Sequence, residues 1–393
     1  MHLLLACLAM ILATQEVPAP AADRWPPHHV IDEALAAEEL ARCRATWTDA
    51  ASWNTRATTI RRHLLDTLGL DLDATRVPVG VTVTGEHAFD DYRVLNLQVE
   101  TAPGLFIAAN LYEPVGRKGP YPAVLCPHGH FRGLDDDPEG RFQHDYQRLC
   151  ANLARMGAVA LTWDMVGWGE TTQLPHGVPE TTILQTWNSI RMVDWLLSRD
   201  DIDAARIGMT GSSGGGTQTF LATAVDDRIS VSAPVVMVSA HWFGGCACES
   251  GLPVHQGKNL RTNNVEFAAL AAPRPQLLVS CGGDWTRNTP TVEYPYLHDV
   301  YDVLGAGAHC RFVHLPEEQH DYGPGKQAAV HAFMASQLAL DTSVEVQDTG
   351  ITLLTRDQLR SFNSKTPLPP GALGNHKIAL EAVESASKPP GDP

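Results

Sequence analysis

The pentapeptide Gly211-Ser212-Ser213-Gly214-Gly215 directly follows the apolar run Arg206 to Thr210. A serine with glycine two positions away on each side suits a sharp turn from strand into helix, which lifts the hydroxyl out of the backbone. Small residues there let strand and helix approach closely. The chemistry on offer is attack by the Ser213 hydroxyl on a carbonyl carbon, with the N–H of Gly214 placed to donate to the carbonyl oxygen. Phosphate binding is a poorer reading, because the glycines at 211, 214, 215 and 216 fit neither G-x-x-x-x-G-K-[ST] nor G-x-G-x-x-G.

A serine hydroxyl at its ordinary pKa is a weak nucleophile, so a base and a residue to orient it must follow. The run Gln276 to Ser280 ends in Cys281-Gly-Gly-Asp284-Trp285, a carboxylate on a turn after an apolar stretch. Arg311 to Leu315 then leads through Pro316-Glu-Glu-Gln to His320-Asp-Tyr-Gly323. Ser213, Asp284 and His320 therefore stand in the order nucleophile, acid, base, each on a loop past an apolar run. Glu293 and Asp299 are rival acids, but they fall in a helical stretch. With 17 histidines in the chain, position must decide, and the Gly/Pro-bounded loop sets His320 apart from His298, His309 and His331. A second donor to the oxygen is expected from Pro127-His128-Gly129-His130, at the N–H of His130 or Gly129. The two histidines raise metal binding as an alternative, yet no H-E-x-x-H and no third spaced ligand accompanies them. No metal and no cofactor are expected.

These residues need a rigid scaffold to hold them. Ala123–Cys126, Ala158–Thr162, Arg206–Thr210, Val231–Val238 and Gln276–Ser280 are short, continuous apolar runs, as in parallel strands buried on both faces. Helix-like stretches lie between them, notably 183–198, so the chain reads as a doubly wound α/β sheet. Before it, Val77–Val83, Val94–Val99 and Leu105–Tyr112 alternate with period two and read as antiparallel edge strands. Residues 30–70 carry apolar positions at helical spacing and read as a helical N-terminal extension ending at Gly69. The expected division is 1–21 signal segment, 22–90 extension, 91–342 catalytic domain and 343–393 C-terminal extension with a loose, Pro/Gly/Ala-rich tail.

Composition narrows the partners. The formal net charge is −16, with no local basic patch, which disfavours nucleic acid. Met1 to Ala13 is apolar and Ala19-Pro20-Ala21 offers a small-x-small site, so export to the periplasm or medium is expected, with cytoplasmic retention the alternative. No other segment is long enough to insert in a membrane. Eight irregularly spaced cysteines do not make a disulfide scaffold. Cys246-Ala-Cys248, the one close pair, reads as buried or incidental thiols rather than a metal or redox pair.

Taken together, His128-Gly129-His130, Asp164-Met-Val-Gly-Trp-Gly-Glu170, Gly211 to Thr217, Asp284-Trp-Thr286 and His320-Asp-Tyr-Gly323 resemble the α/β-hydrolase superfamily over roughly Leu95 to Leu340. The motifs look most like its bacterial acetylxylan-esterase-like and dienelactone-hydrolase-like members. The resemblance implies Ser213 as nucleophile, His320 as base, Asp284 as orienter, and Gly214 with His130 as the oxyanion hole. Dienelactone hydrolases use cysteine as nucleophile, and Ser213 moves the reading toward esterases. The segment ahead of His128 cannot make the propeller of prolyl oligopeptidases. Trp285 and Trp242 are candidates to stack on a sugar ring, whereas Trp187 lies on an apolar helix face. Glu249 could reach a sugar hydroxyl. The expected activity is hydrolysis of an acyl ester on a carbohydrate such as acetylated xylan. A peptidase with the same residues, or a non-catalytic binding protein on the same scaffold, are the alternatives.

Overall fold

The computed structural model describes residues 30–387 apart from 74, 134–137, 345 and 347–349. The expected signal segment lies outside the described residues. Nine strands form one sheet: β1 (Gly80–Ala88), β2 (Tyr92–Ala102), β3 (Leu105–Pro114), β4 (Tyr121–Leu125), β5 (Val159–Trp163), β6 (Ile202–Ser212), β7 (Val231–Val235), β10 (Gln276–Cys281) and β11 (Cys310–Leu315). A separate two-stranded ribbon, β8 (Gln256–Gly257) and β9 (Leu260–Arg261), sits in the connection between β7 and β10. The order in the main sheet is β1-β2-β3-β5-β4-β6-β7-β10-β11. β1 to β3 run antiparallel, and β5, β4, β6, β7, β10 and β11 are mutually parallel. The period-two runs thus became the antiparallel end and the continuous runs the buried parallel centre, where every residue of β5, β7 and β10 is buried.

β5 and β6 lie on opposite sides of β4, which opens a crevice past the carboxyl ends of these strands. The loops that leave β4, β6, β10 and β11 carry His128–His130, Ser213, Asp284 and His320 in turn. All the candidate residues therefore gather at one edge of the sheet.

Helices α1 (Glu33–Arg44) and α2 (Ala50–Leu68) form the N-terminal extension. A capping box of Asp49 and Ser52 starts α2, and Gly69 ends it in the left-handed conformation at φ 64°. The extension is sealed to the rest of the chain. The indole N–H of Trp47 donates to the Tyr296 hydroxyl at 3.0 Å, and Arg56 holds buried Glu266 by a two-pronged ion pair. β1 pairs along its whole length with β2, so residues 80–88 join the sheet.

The remaining helices are α3 (His144–Arg155), α4 (Glu180–Leu197), α5 (Gly214–Val225), α6 (Ala247–Ser250), α7 (Asn264–Ala269), α8 (Glu293–Val303), α9 (Pro324–Leu338), α10 (Arg356–Leu359) and α11 (His376–Ala386). Trp187 on α4 is fully buried, as its apolar face implies. The tail departs from expectation. Its described part ends in α11, capped by the Asn375 side chain, with Ala379 and Val383 buried in the same core as Trp187. Ala386 is buried there too, and these small apolar residues at i, i+4 and i+7 dock a helix that the surrounding Pro and Gly disguise. Among the described residues no helix is long and apolar enough to cross a membrane.

Candidate active site

Ser213 stands between β6 and α5 at φ 56°, in the left-handed region that a residue with a Cβ enters only under constraint. The constraint is visible on both sides. A Cβ on Gly211 would lie 2.3 Å from the Pro127 carbonyl oxygen, and one on Gly215 only 2.0 Å from it. The Tyr146 hydroxyl clamps the same region: it donates to the Pro127 carbonyl at 3.0 Å and accepts the Ser212 N–H at 3.1 Å. The turn after β4 is thereby pressed against the turn after β6. Nothing in the sequence marked Tyr146, which lies on a different element from both.

His128 and His130, adjacent in the same turn, have different surroundings. His128 is fully buried, and burial lowers its pKa to about 3, so the ring is neutral. Its Nε2 accepts the Met165 N–H at 3.1 Å, which leaves Nδ1 to donate to the Gly129 carbonyl at 2.8 Å. Because that peptide is planar and trans, the His130 N–H points away from the His128 ring. Gly214 opens α5 and has no acceptor within the helix. Among the described residues, no group accepts the N–H of Gly214 or of His130. The turn is close to the serine: a Cβ on Gly129 would lie 2.8 Å from Ser213 Cβ.

Asp284 and His320 are brought together. His320 Nδ1 meets Asp284 Oδ2 at 2.7 Å, and the carboxylate's other oxygen accepts the Thr286 N–H and hydroxyl at 2.7 and 2.6 Å. Burial pushes the Asp284 carboxyl up, but the hydrogen bonds from His320 and Thr286 outweigh it and hold it below its ordinary value. With Nδ1 engaged, Nε2 of His320 is the nitrogen free to take a proton. Ser213 Oγ and His320 share no hydrogen bond. The Phe131 ring links their neighbourhoods: its centroid lies 6.2 Å from that of His320, and its edge packs against Gly129 beside Ser213. Bonds between a nucleophile and its base often shorten only when substrate is bound.

The rival acids lie elsewhere. Asp299 pairs with Arg44 on the surface. Glu293 is buried, and its Oε1 accepts the Ala240 N–H at 2.9 Å. Burial raises its pKa to about 7 against an ordinary 4.5. The folded chain therefore favours the protonated form. The corresponding stability is complete below about pH 4.5 and is lost as pH rises through about 7. We expect chemical denaturation to show stability falling by about 3 kcal/mol over that interval from this group, and Glu293→Gln to flatten the fall.

Trp242 and Trp285 stack face to face, 4.5 Å apart and 13° from parallel, and Trp285 lies 4.3 Å from the His320 ring. Both indoles are half-buried. Glu249, by contrast, is buried and committed to Thr217 and the Gly245 N–H, which turns it away from any substrate hydroxyl. The reading of Cys246 and Cys248 as incidental thiols also changes. Both gather with His130 and His176, their ligand atoms all within 4.8 Å of one another. Hydrogen bonds from Cys248, and then from His130 and His176, hold the Cys246 thiol far below its ordinary value, while burial pushes that of Cys248 up.

Known proteins share this fold. Residues 104–287 match the family described as X-Pro dipeptidyl-peptidase (S15 family). The structure superposes on Methylesterase BT1017 with a TM-score of 0.81 and 36% identity, covering 92% of this chain and 81% of that one. The glucuronoyl esterase from Solibacter usitatus shares the fold at a TM-score of 0.55 and 16% identity, over 74% of this chain and 94% of that one. The protein named "Putative hydrolase YtaP" of Bacillus subtilis (strain 168) is 30% identical over 149 residues, which span 34% of this chain and 47% of YtaP. The chain thus aligns with about half the length of that curated relative. On sheet order, elbow and extended identity to a methylesterase, the chain belongs to the α/β-hydrolase superfamily, among its serine esterases.

Proposed function

We infer that the chain hydrolyses a carboxylic ester carried by a carbohydrate, using Ser213, His320 and Asp284. The observation that carries this reading is the constrained Ser213 on its elbow, at the same sheet edge as the Asp284–His320 pair. Ser213 Oγ attacks the ester carbonyl while His320 Nε2 takes its proton. The N–H groups of Gly214 and His130 donate to the oxygen as it gains charge. His320 then returns the proton to the leaving alcohol, and water repeats the sequence on the acyl-enzyme. Asp284 keeps the ring in the tautomer with Nε2 free and stabilises the imidazolium. Asp284→Asn keeps the Thr286 hydrogen bonds through its remaining oxygen but presents an amide to Nδ1. We expect it to melt near wild type and to lose roughly 10⁴-fold in kcat.

The Trp242–Trp285 stack beside His320 supports a sugar ring as the group next to the ester. The likeness to Methylesterase BT1017 favours a methyl ester, which on a sugar ring would be that of a sugar carboxylate. An acetyl ester, as in acetylated xylan, is the second reading, carried by the resemblance of the sequence motifs. Methyl-esterified galacturonan and acetylated xylan, offered in parallel, separate the two by release of methanol or acetate. Turnover of a prolyl nitroanilide with neither ester cleaved would favour a peptidase. Loss of all three activities would favour a binding protein. The N-terminal apolar segment supports export, and the mass of the mature chain, short by residues up to about Ala21, would test it.

A further inference from the structure

His130, His176, Cys246 and Cys248 come from three segments: the turn after β4, the connection from β5 to α4, and the start of α6, which Cys246 caps. We propose that these four side chains bind one zinc ion, which ties the three segments together beside the catalytic elbow. The set of two imidazoles and two sulfurs is that of closed, four-coordinate structural zinc. Four ligand atoms all within 4.8 Å of one another enclose a single ion and leave no room for a two-metal cluster. His130 Nε2 lies 2.8 Å from His176 Nε2 and 3.1 Å from Cys248 Sγ, so the ligands converge on one point.

The surroundings orient both rings for this task. His176 Nδ1 lies 2.6 Å from the Val166 carbonyl. It must donate there, because a carbonyl only accepts, so His176 Nε2 carries the lone pair. His130 Nδ1 faces Glu249 Oε2 at 4.0 Å, and that carboxylate is fixed by Thr217 and the Gly245 N–H. A carbonyl that accepts from His176 Nδ1 is a usual outer partner of a metal-bound histidine, and the Glu249 carboxylate adds negative charge beside His130. His176 Nε2 presents its lone pair to His130 Nε2 at 2.8 Å, a contact that needs a proton or a cation between the two nitrogens. Cys246 is only half-buried, which gives an ion a way in. The site borders the elbow: a Cβ on Gly214 would lie 2.8 Å from the His130 ring. Fixing that ring fixes the His130 N–H.

The test reads metal, not ester turnover. Protein purified under reducing conditions from zinc-supplemented cells should carry close to one zinc per chain by elemental analysis and native mass spectrometry. Replacement by cobalt should give a thiolate-to-cobalt charge-transfer band. His176→Ala and Cys246→Ser should each lower zinc retention by at least about tenfold, and Cys246→Ser should weaken the band. Ser213→Ala should keep the full complement, which separates this proposal from the esterase reading. Wild type that stays zinc-free after reconstitution would overturn the proposal. So would a Cys246–Cys248 disulfide in protein purified under reducing conditions, or zinc that persists in the His176→Ala/Cys246→Ser double variant.

Discussion

Ser213→Ala is expected to lower ester turnover by roughly 10⁴-fold or more while leaving the melting temperature almost unchanged. The variant removes one oxygen that hydrogen-bonds no described residue. The packing that holds the elbow comes from the glycines, Pro127 and Tyr146, and it stays intact. Ser213→Gly should lose activity to the same degree yet melt higher. The backbone at φ 56° costs a serine strain that glycine does not feel, and relief of about 1 kcal/mol is expected. A nucleophile that is inactive when replaced and more stable when replaced by glycine is the signature of a strained functional position. Ester assays and thermal melts on the two variants check both halves. Activity near wild type in either would remove Ser213 from the mechanism.

Gly215→Val should fail in the opposite way. The added Cβ would stand 2.0 Å from the Pro127 carbonyl oxygen, 2.8 Å from the Pro127 carbonyl carbon and 3.0 Å from that of His128. All three are backbone atoms, so no rotamer change relieves the contact. Either the turn after β4 moves off the elbow or the chain does not fold, and a loss of more than about 4 kcal/mol is expected. Soluble yield and circular dichroism would register it before any activity measurement. A well-folded Gly215→Val enzyme would mean the two turns are not pressed together as described.

The pattern of residues foretold most of the scaffold, because each feature there is local. The switch from alternating to continuous apolar runs separates β1–β3 from the parallel strands, and the glycines around Ser213 mark a turn that needs them. Asp284 and His320 could be placed because each follows a strand that is itself legible. What stayed hidden depends on folding distant segments together. His176 lies 46 residues from His130, and Cys248 lies 118 residues from it, so no spacing rule joins them. Tyr146 was invisible for the same reason: it acts through a hydroxyl aimed at two other loops. Glu249 read as a residue able to reach a sugar hydroxyl, since nothing near it in sequence reveals Thr217 as a partner. Helix α11 was lost among prolines and glycines because only small residues, Ala379, Val383 and Ala386, form its buried face.

The most direct test of the mechanism is covalent capture of the nucleophile. Wild-type protein treated with a fluorophosphonate and digested should carry one adduct, on the peptide containing Ser213. Ser213→Ala should take no label, and His320→Ala should be labelled much more slowly because no base withdraws the proton. An adduct on a different serine, or full ester turnover in protein that the reagent never modifies, would contradict the mechanism.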